Sequence, residues 1–218
     1  MLQPIIRSLV VSQRASGFLR FSFRRTSNYC KTMPKSALII LAPGAEEMEF
    51  VISADVLRRT GITVTVGGLE GTADVKCSRD VVIKPDVALA DAAKEKFDIV
   101  IMPGGLGGSK AMAESKLVGE ILKKQADEGR YIGAICAAPI ALAAHGIFPG
   151  KTLTSYPSMK EKLVDGYKYI DDHKVVHDDK LITSRGPGTA FDFALKIAQE
   201  LVGGEKVKEV AKGMLLSC

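Results

Sequence analysis

From residue 36 onward the chain alternates short unbroken apolar runs with stretches whose apolar positions recur every three to four residues. Residues 37–42 are continuously apolar, the mark of a strand buried on both faces. Pro43-Gly44 turns the chain, and 46–60 carries a helical period stopped by Gly61. Residues 62–66 form a β-branched second strand and 98–102 a third. A glycine-rich run, 103–108, follows and reads as a loop. Residues 116–128 form an amphipathic helix, and 131–135 a strand feeding a helix from Ala137 to Ala144. Short strands are expected at 152–155 and 180–183, then helices at 189–202 and 205–213. This order predicts an α/β fold, a mainly parallel sheet with helices on both faces. Such sheets carry their reactive groups at the carboxyl ends of the strands.

The segment before residue 34 has none of this pattern. The chain has 218 residues and a formal net charge of +5. Residues 1–32 hold six basic residues, and the first acid in the chain is Glu46. The remaining 24 basic residues face all 25 acids, a net of −1. The positive charge therefore belongs to the first segment, and composition gives no support to nucleic-acid binding. Arginine-rich, serine-bearing and acid-free, residues 1–33 read as a mitochondrial transit peptide, with a basic tail or an internal start at Met33 as alternatives. The expected domain is 34–218. The expected location is mitochondrial, cytoplasmic or nuclear. Residues 131–150 lack charge, but Gly133, Pro139, Gly146 and Pro149 break any single helix, so no membrane span is expected. Four scattered cysteines form no CxxC pair, and the three histidines show no ligand spacing, so no metal or other cofactor is expected.

Cys136 lies between a strand and a helix, with Ala134 and Ala138 as second neighbours and Ala137 next. That is the small-x-nucleophile-x-small pattern of a nucleophile elbow. The helix start is expected to favour the thiolate over an ordinary thiol of pKa about 8.5. A buried core cysteine is the commoner fate of the residue type. Glu49 shares a helical face with Ile52 and Val56. A carboxyl there is costly when ionised and is expected to hold its proton and donate to a thiolate. A simple dipole role in the first helical turn is the alternative. The amides of Gly104 and Gly105 are candidates for stabilising an oxyanion. Cys77, in a polar stretch, is either a bystander or a second oxidisable thiol.

These pieces resemble a known family. Gly-Ala-Glu-Glu-Met-Glu at 44–49, Cys-Ser-Arg-Asp-Val-Val at 77–82, Pro-Gly-Gly at 103–105, Ala-Ile-Cys-Ala at 134–137 and Thr-Ser-Arg-Gly-Pro-Gly-Thr at 183–189 carry the resemblance. It is to the parkinsonism-associated protein deglycase ("DJ-one") family of the ThiJ/PfpI superfamily, from about residue 36 to past 200. The resemblance implies a flavodoxin-like three-layer sandwich and a homodimer. It implies that Cys136 is the reactive, oxidation-prone thiolate and Glu49 its protonated partner. Gly104, Gly105, Ala137 and Arg79 are implied around the pocket. The implied activities are a glutathione-independent glyoxalase on small aldehydes such as methylglyoxal and a deglycase on early adducts of proteins. A redox sensor and redox-regulated chaperone is the implied alternative. One departure stands out: the family's usual histidine before proline is replaced by Tyr156. With a side-chain pKa near 10, tyrosine is a poor base at neutral pH. The helix bearing Met48 and Val51 is the expected dimer surface.

Overall fold

The computed structural model describes residues 34–216, so the expectations for residues 1–33 lie outside the described residues. Its elements in chain order are β1 (Ser36–Leu41), α1 (Glu47–Arg59), β2 (Thr63–Gly68), β3 (Val75–Lys76), β4 (Val82–Ile83), β5 (Val87–Ala88) and α2 (Leu89–Ala92). Next come β6 (Ile99–Met102), α3 (Leu106–Glu114), α4 (Lys116–Asp127), β7 (Tyr131–Ile135) and α5 (Pro139–Ala144). The last are β8 (Thr152–Leu153), β9 (Lys168–Tyr169), β10 (Val175–Asp178), β11 (Leu181–Ser184), α6 (Ala190–Val202) and α7 (Gly204–Gly213).

Seven strands form one sheet in the order β10-β11-β7-β6-β1-β2-β5. All neighbours are parallel except β10 and β11, which pair antiparallel at one edge. The central strands explain themselves. Ala37 to Leu41 are buried on both faces, as are Ile99 to Met102, so an unbroken apolar run is what the site of each strand requires. Helices cover the sheet in two groups: α1 packs on α6 and α6 on α7, while α3 packs on α5 and α4. The expected three-layer α/β sandwich is therefore the fold.

Several expectations are corrected in detail. The glycine run is not all loop: α3 begins at Leu106, with Gly105 as its N-cap. The helix after Cys136 starts at Pro139 rather than Ala137, because three residues are spent on the turn. The strand expected at 152–155 shortens to β8, which pairs with β9 outside the main sheet.

This topology gathers the site. β6 lies between β1 and β7, so the loops leaving their carboxyl ends are neighbours. Those loops carry Glu46, Gly104 and Cys136. The end of β11 closes the group, where the Ser184 carbonyl accepts the Cys136 amide at 3.0 Å.

Candidate active site

Cys136 has φ 63°, the left-handed region that a non-glycine residue occupies only under constraint. The constraint is visible on both sides of the residue. Its amide is held by Ser184, and its carbonyl accepts the Tyr156 amide at 2.8 Å. The flanking alanines, Ala134 and Ala138, are fully buried, which leaves no room for larger neighbours. Cys136 is itself 9% exposed, so its sulfur is sheltered but reachable.

Glu49 is completely buried. It sits in the first turn of α1, and its carboxyl faces the Cys136 thiol. Oε2 accepts the Gly104 amide at 2.7 Å, while Oε1 is buried with no hydrogen-bond partner. A buried carboxylate oxygen without a donor is costly, whereas a protonated one has a proton to give. Burial accordingly pushes Glu49 up to about 7, against the Gly104 hydrogen bond that favours the charge.

The thiol behaves differently from the sequence expectation. The amides of Gly105 and Ala137 do pull it toward the thiolate. Burial, and the Glu49 charge when Glu49 is ionised, outweigh them and push the thiol up to about 12. Each group therefore resists charge while its neighbour is charged, and the pair behaves as one unit sharing a proton. Thiolate forms readily only with that proton on Glu49.

Gly104 separates the two side chains. A Cβ there would lie 2.5 Å from the Cys136 Cβ and 2.6 Å from Glu49 Oε2, so only glycine fits. This corrects the oxyanion expectation for Gly104, whose amide is already committed to Glu49. The Gly105 and Ala137 amides are the ones aimed at the reacting sulfur.

The remaining expected residues divide. Tyr156 lies beside the elbow through its backbone and is 47% exposed, with its ring against the Cα face of Gly186. Arg79 is exposed, and its guanidinium donates to the Ser78 carbonyl in its own turn rather than to Cys136 or Glu49. Cys77 is buried, and burial followed by the Glu47 and Glu46 charges pushes its thiol up to about 11, which suppresses its thiolate. The histidines are engaged elsewhere: His145 on the Met112 carbonyl, His173 on Asp172 and His177 on the Asp179 carbonyl. A cavity of about 560 Å³ between β10, α6 and α7 contains none of the reactive groups. No group of three or more His, Cys, Asp or Glu is placed to hold a metal among the described residues.

Two further acids of α1 and its cap belong to the site and carry no role in the sequence expectations. Glu46 caps α1, accepting the Glu49 amide at 2.8 Å. Glu47 is buried and accepts Ser78 Oγ and the Arg79 amide at 2.8 and 2.7 Å. The available signal was three acids packed around the first turn of one helix, more than a dipole needs.

Comparison with known proteins shows the family. Residues 35–200 match the model of the DJ-1/PfpI family. Protein dj-1beta of Drosophila melanogaster is 66% identical over 185 residues, covering 85% of this chain and 99% of that protein. Its crystal structure superposes with a TM-score of 0.85, covering 85% of this chain and all of that one. A Caenorhabditis elegans relative named glutathione-independent glyoxalase DJR-1.2 is 49% identical, over 84% of this chain and 97% of its own length.

Proposed function

The chain belongs to the DJ-1/PfpI family, and from that premise we propose that it is a glutathione-independent glyoxalase and protein deglycase whose nucleophile is Cys136. The observation that carries this reading is the Cys136–Glu49 pair: a strained elbow thiol facing a buried carboxyl that holds a proton to about pH 7. The glyoxalase name of the nematode relative supports the same chemistry.

The steps follow from the geometry. With the proton on Glu49, the Cys136 thiolate attacks the aldehyde carbon of methylglyoxal, forming a C–S bond. Glu49 protonates the resulting alkoxide, giving a hemithioacetal, and the Gly105 and Ala137 amides, which favour the thiolate before the attack, are donors available beside the sulfur. The Glu49 carboxylate then takes the proton from the former aldehyde carbon, and the enediol is reprotonated at the neighbouring carbon. This yields a lactoyl thioester, which water cleaves to lactate and free thiolate. On an aminocarbinol or hemithioacetal adduct, the C–N or C–S bond breaks first, the hydroxyl proton passes to the departing amine or thiol, and Cys136 adds to the aldehyde so regenerated. No step uses a metal or an organic cofactor. Tyr156 frames the entrance and leaves Glu49 as the proton carrier.

Tyr156 in place of a histidine base favours a second reading. In it, Cys136 reduces peroxide, becomes a sulfenate and then a sulfinate held by Glu49, and the protein acts as a redox sensor and redox-regulated chaperone. Turnover separates the two readings. Many lactates per Cys136, lost at least about a hundredfold in Cys136→Ser, support the enzyme. No more than one product per chain, with Cys136 still oxidised by peroxide, contradicts it.

Two further assignments rest on composition and surface. Residues 1–33 supply a mitochondrial address, as their acid-free basic composition supports. A homodimer forms through the face bearing Met48 and Val51, which are 53% and 49% exposed on α1.

A further inference from the structure

Glu46 makes two of the three hydrogen bonds that lock Glu49 and Gly104 together. Its side-chain Oε2 accepts the Glu49 amide at 2.8 Å. Its own amide donates to the Gly104 carbonyl at 3.0 Å. The Gly104 amide in turn donates to Glu49 Oε2 at 2.7 Å. The bonds close a ring through the β1–α1 loop, the first turn of α1 and the β6–α3 loop. The ring leaves no slack, because a Cβ on Gly105 would lie 2.6 Å from the Glu46 amide nitrogen.

We propose that Glu46 is the positioning residue of the site: its backbone and carboxylate hold Glu49 and Gly104 against Cys136 and keep the shared proton on Glu49. This rests on the shared-proton reading above. The electrostatics follow from what surrounds Glu49. Cys136 faces it from the β7 elbow, the Gly104 amide from the β6–α3 loop, and the Glu46 charge from the start of α1. Glu47, on the same helix, is turned to Ser78 and Arg79, and Cys77 lies near Glu46 and Glu47. No basic side chain is among the groups acting on Glu49. A negative charge at Glu46 therefore disfavours the Glu49 carboxylate, and the alternative place for the pair's single charge is the Cys136 sulfur. Glu46 touches neither sulfur nor substrate in this scheme and acts through Glu49.

The test is the pH dependence of Cys136 alkylation by iodoacetamide in the full-length protein, with the adduct assigned by peptide mass so that the other thiols do not count. Glu46→Gln keeps an oxygen acceptor at the cap and removes the charge. Its plateau rate near pH 8 is expected to fall about three- to tenfold, the value of roughly half to one pKa unit. The pH at which reactivity appears moves lower, because Glu49 releases its proton sooner. Glu46→Asp, which keeps charge and cap, stays within about twofold of wild type. Thermal melting is read on the same samples. If Glu49→Gln changes the pH dependence of alkylation and Glu46→Gln alters neither rate nor midpoint, the inference is overturned while the pair survives. If Glu46→Gln changes only the melting temperature, Glu46 is merely a cap, and the inference is overturned. If Glu49→Gln also leaves alkylation unchanged, the shared-proton reading itself fails.

Discussion

Glu49 is where local chemistry and stability pull against each other. The unfolded chain releases this proton near the ordinary value of 4.5, whereas the folded chain holds it to about 7. Between those values folding binds a proton, so the residue's contribution to stability falls as pH rises. Glu49→Gln removes that penalty and retains an acceptor for Gly104. The variant is expected to be more stable than wild type by about 3 kcal/mol at pH 8, with the difference shrinking toward pH 5. Denaturant melts at several pH values measure it, and a variant less stable than wild type at pH 8 contradicts the shift. The residue pays for its position in stability, as a group kept for reactivity does. Cys136 and Glu49 were both legible in the sequence, one from its small neighbours and one as a carboxyl on an apolar stripe. The direction of the thiol's shift was not, because it depends on a carboxyl 87 residues earlier in the chain.

At the scale of elements, the short hairpin β3–β4 is attached to α1 largely by polar contacts. Glu47 grips Ser78 and Arg79, and Ser78 in turn donates its amide to the Ala45 carbonyl at 2.8 Å. The hydrogen bonds hold the Glu47 carboxyl below its usual range even though burial acts the other way. Glu47→Ala is expected to cost about 2 kcal/mol and to raise amide exchange across residues 75–83. Alkylation of Cys136 stays near the wild-type rate, because Glu47 faces away from the pair. Unchanged exchange in the hairpin would contradict the clasp. The long elements were readable because an unbroken apolar run or a helical period is a local property. β3, β4 and β5 are two residues each, too short to carry a period. β10 escaped for another reason: its half-exposed edge sequence Val175–Asp178 is mixed in polarity and is fixed only by antiparallel pairing with β11. α3 was hidden by glycines. Gly107 and Gly108 are poor helix formers, but a Cβ on Gly108 would lie 3.0 Å from the Ala45 backbone, a close approach that favours glycine.

For the whole molecule, part of the exposed apolar surface lies on α1 and the hairpin clasped to it. Met48 and Val51 lie one turn apart on α1, and the hairpin clasped to that helix exposes Val81 and Val82. Such a patch fits a second copy of the chain. Val51→Glu places a charge in it and is expected to halve the mass seen by sedimentation without altering the circular dichroism spectrum. A dimer that persists would move the interface elsewhere. The order of the sheet also explains why one reactive centre draws on residues from 46 to 184. Four parallel strand ends, from β1, β6, β7 and β11, meet side by side, so loops distant in sequence become neighbours. The sequence could place each loop at the end of a strand, but only the strand order brings the loops together.

The most direct test of the central claim is lactate formed from methylglyoxal in D₂O, followed by proton NMR. Proton transfer through Glu49 predicts many lactates per protein, with deuterium at the carbon bearing the hydroxyl, and none from Cys136→Ser. Lactate that never exceeds one per chain, or that forms equally well without Cys136, would contradict the account.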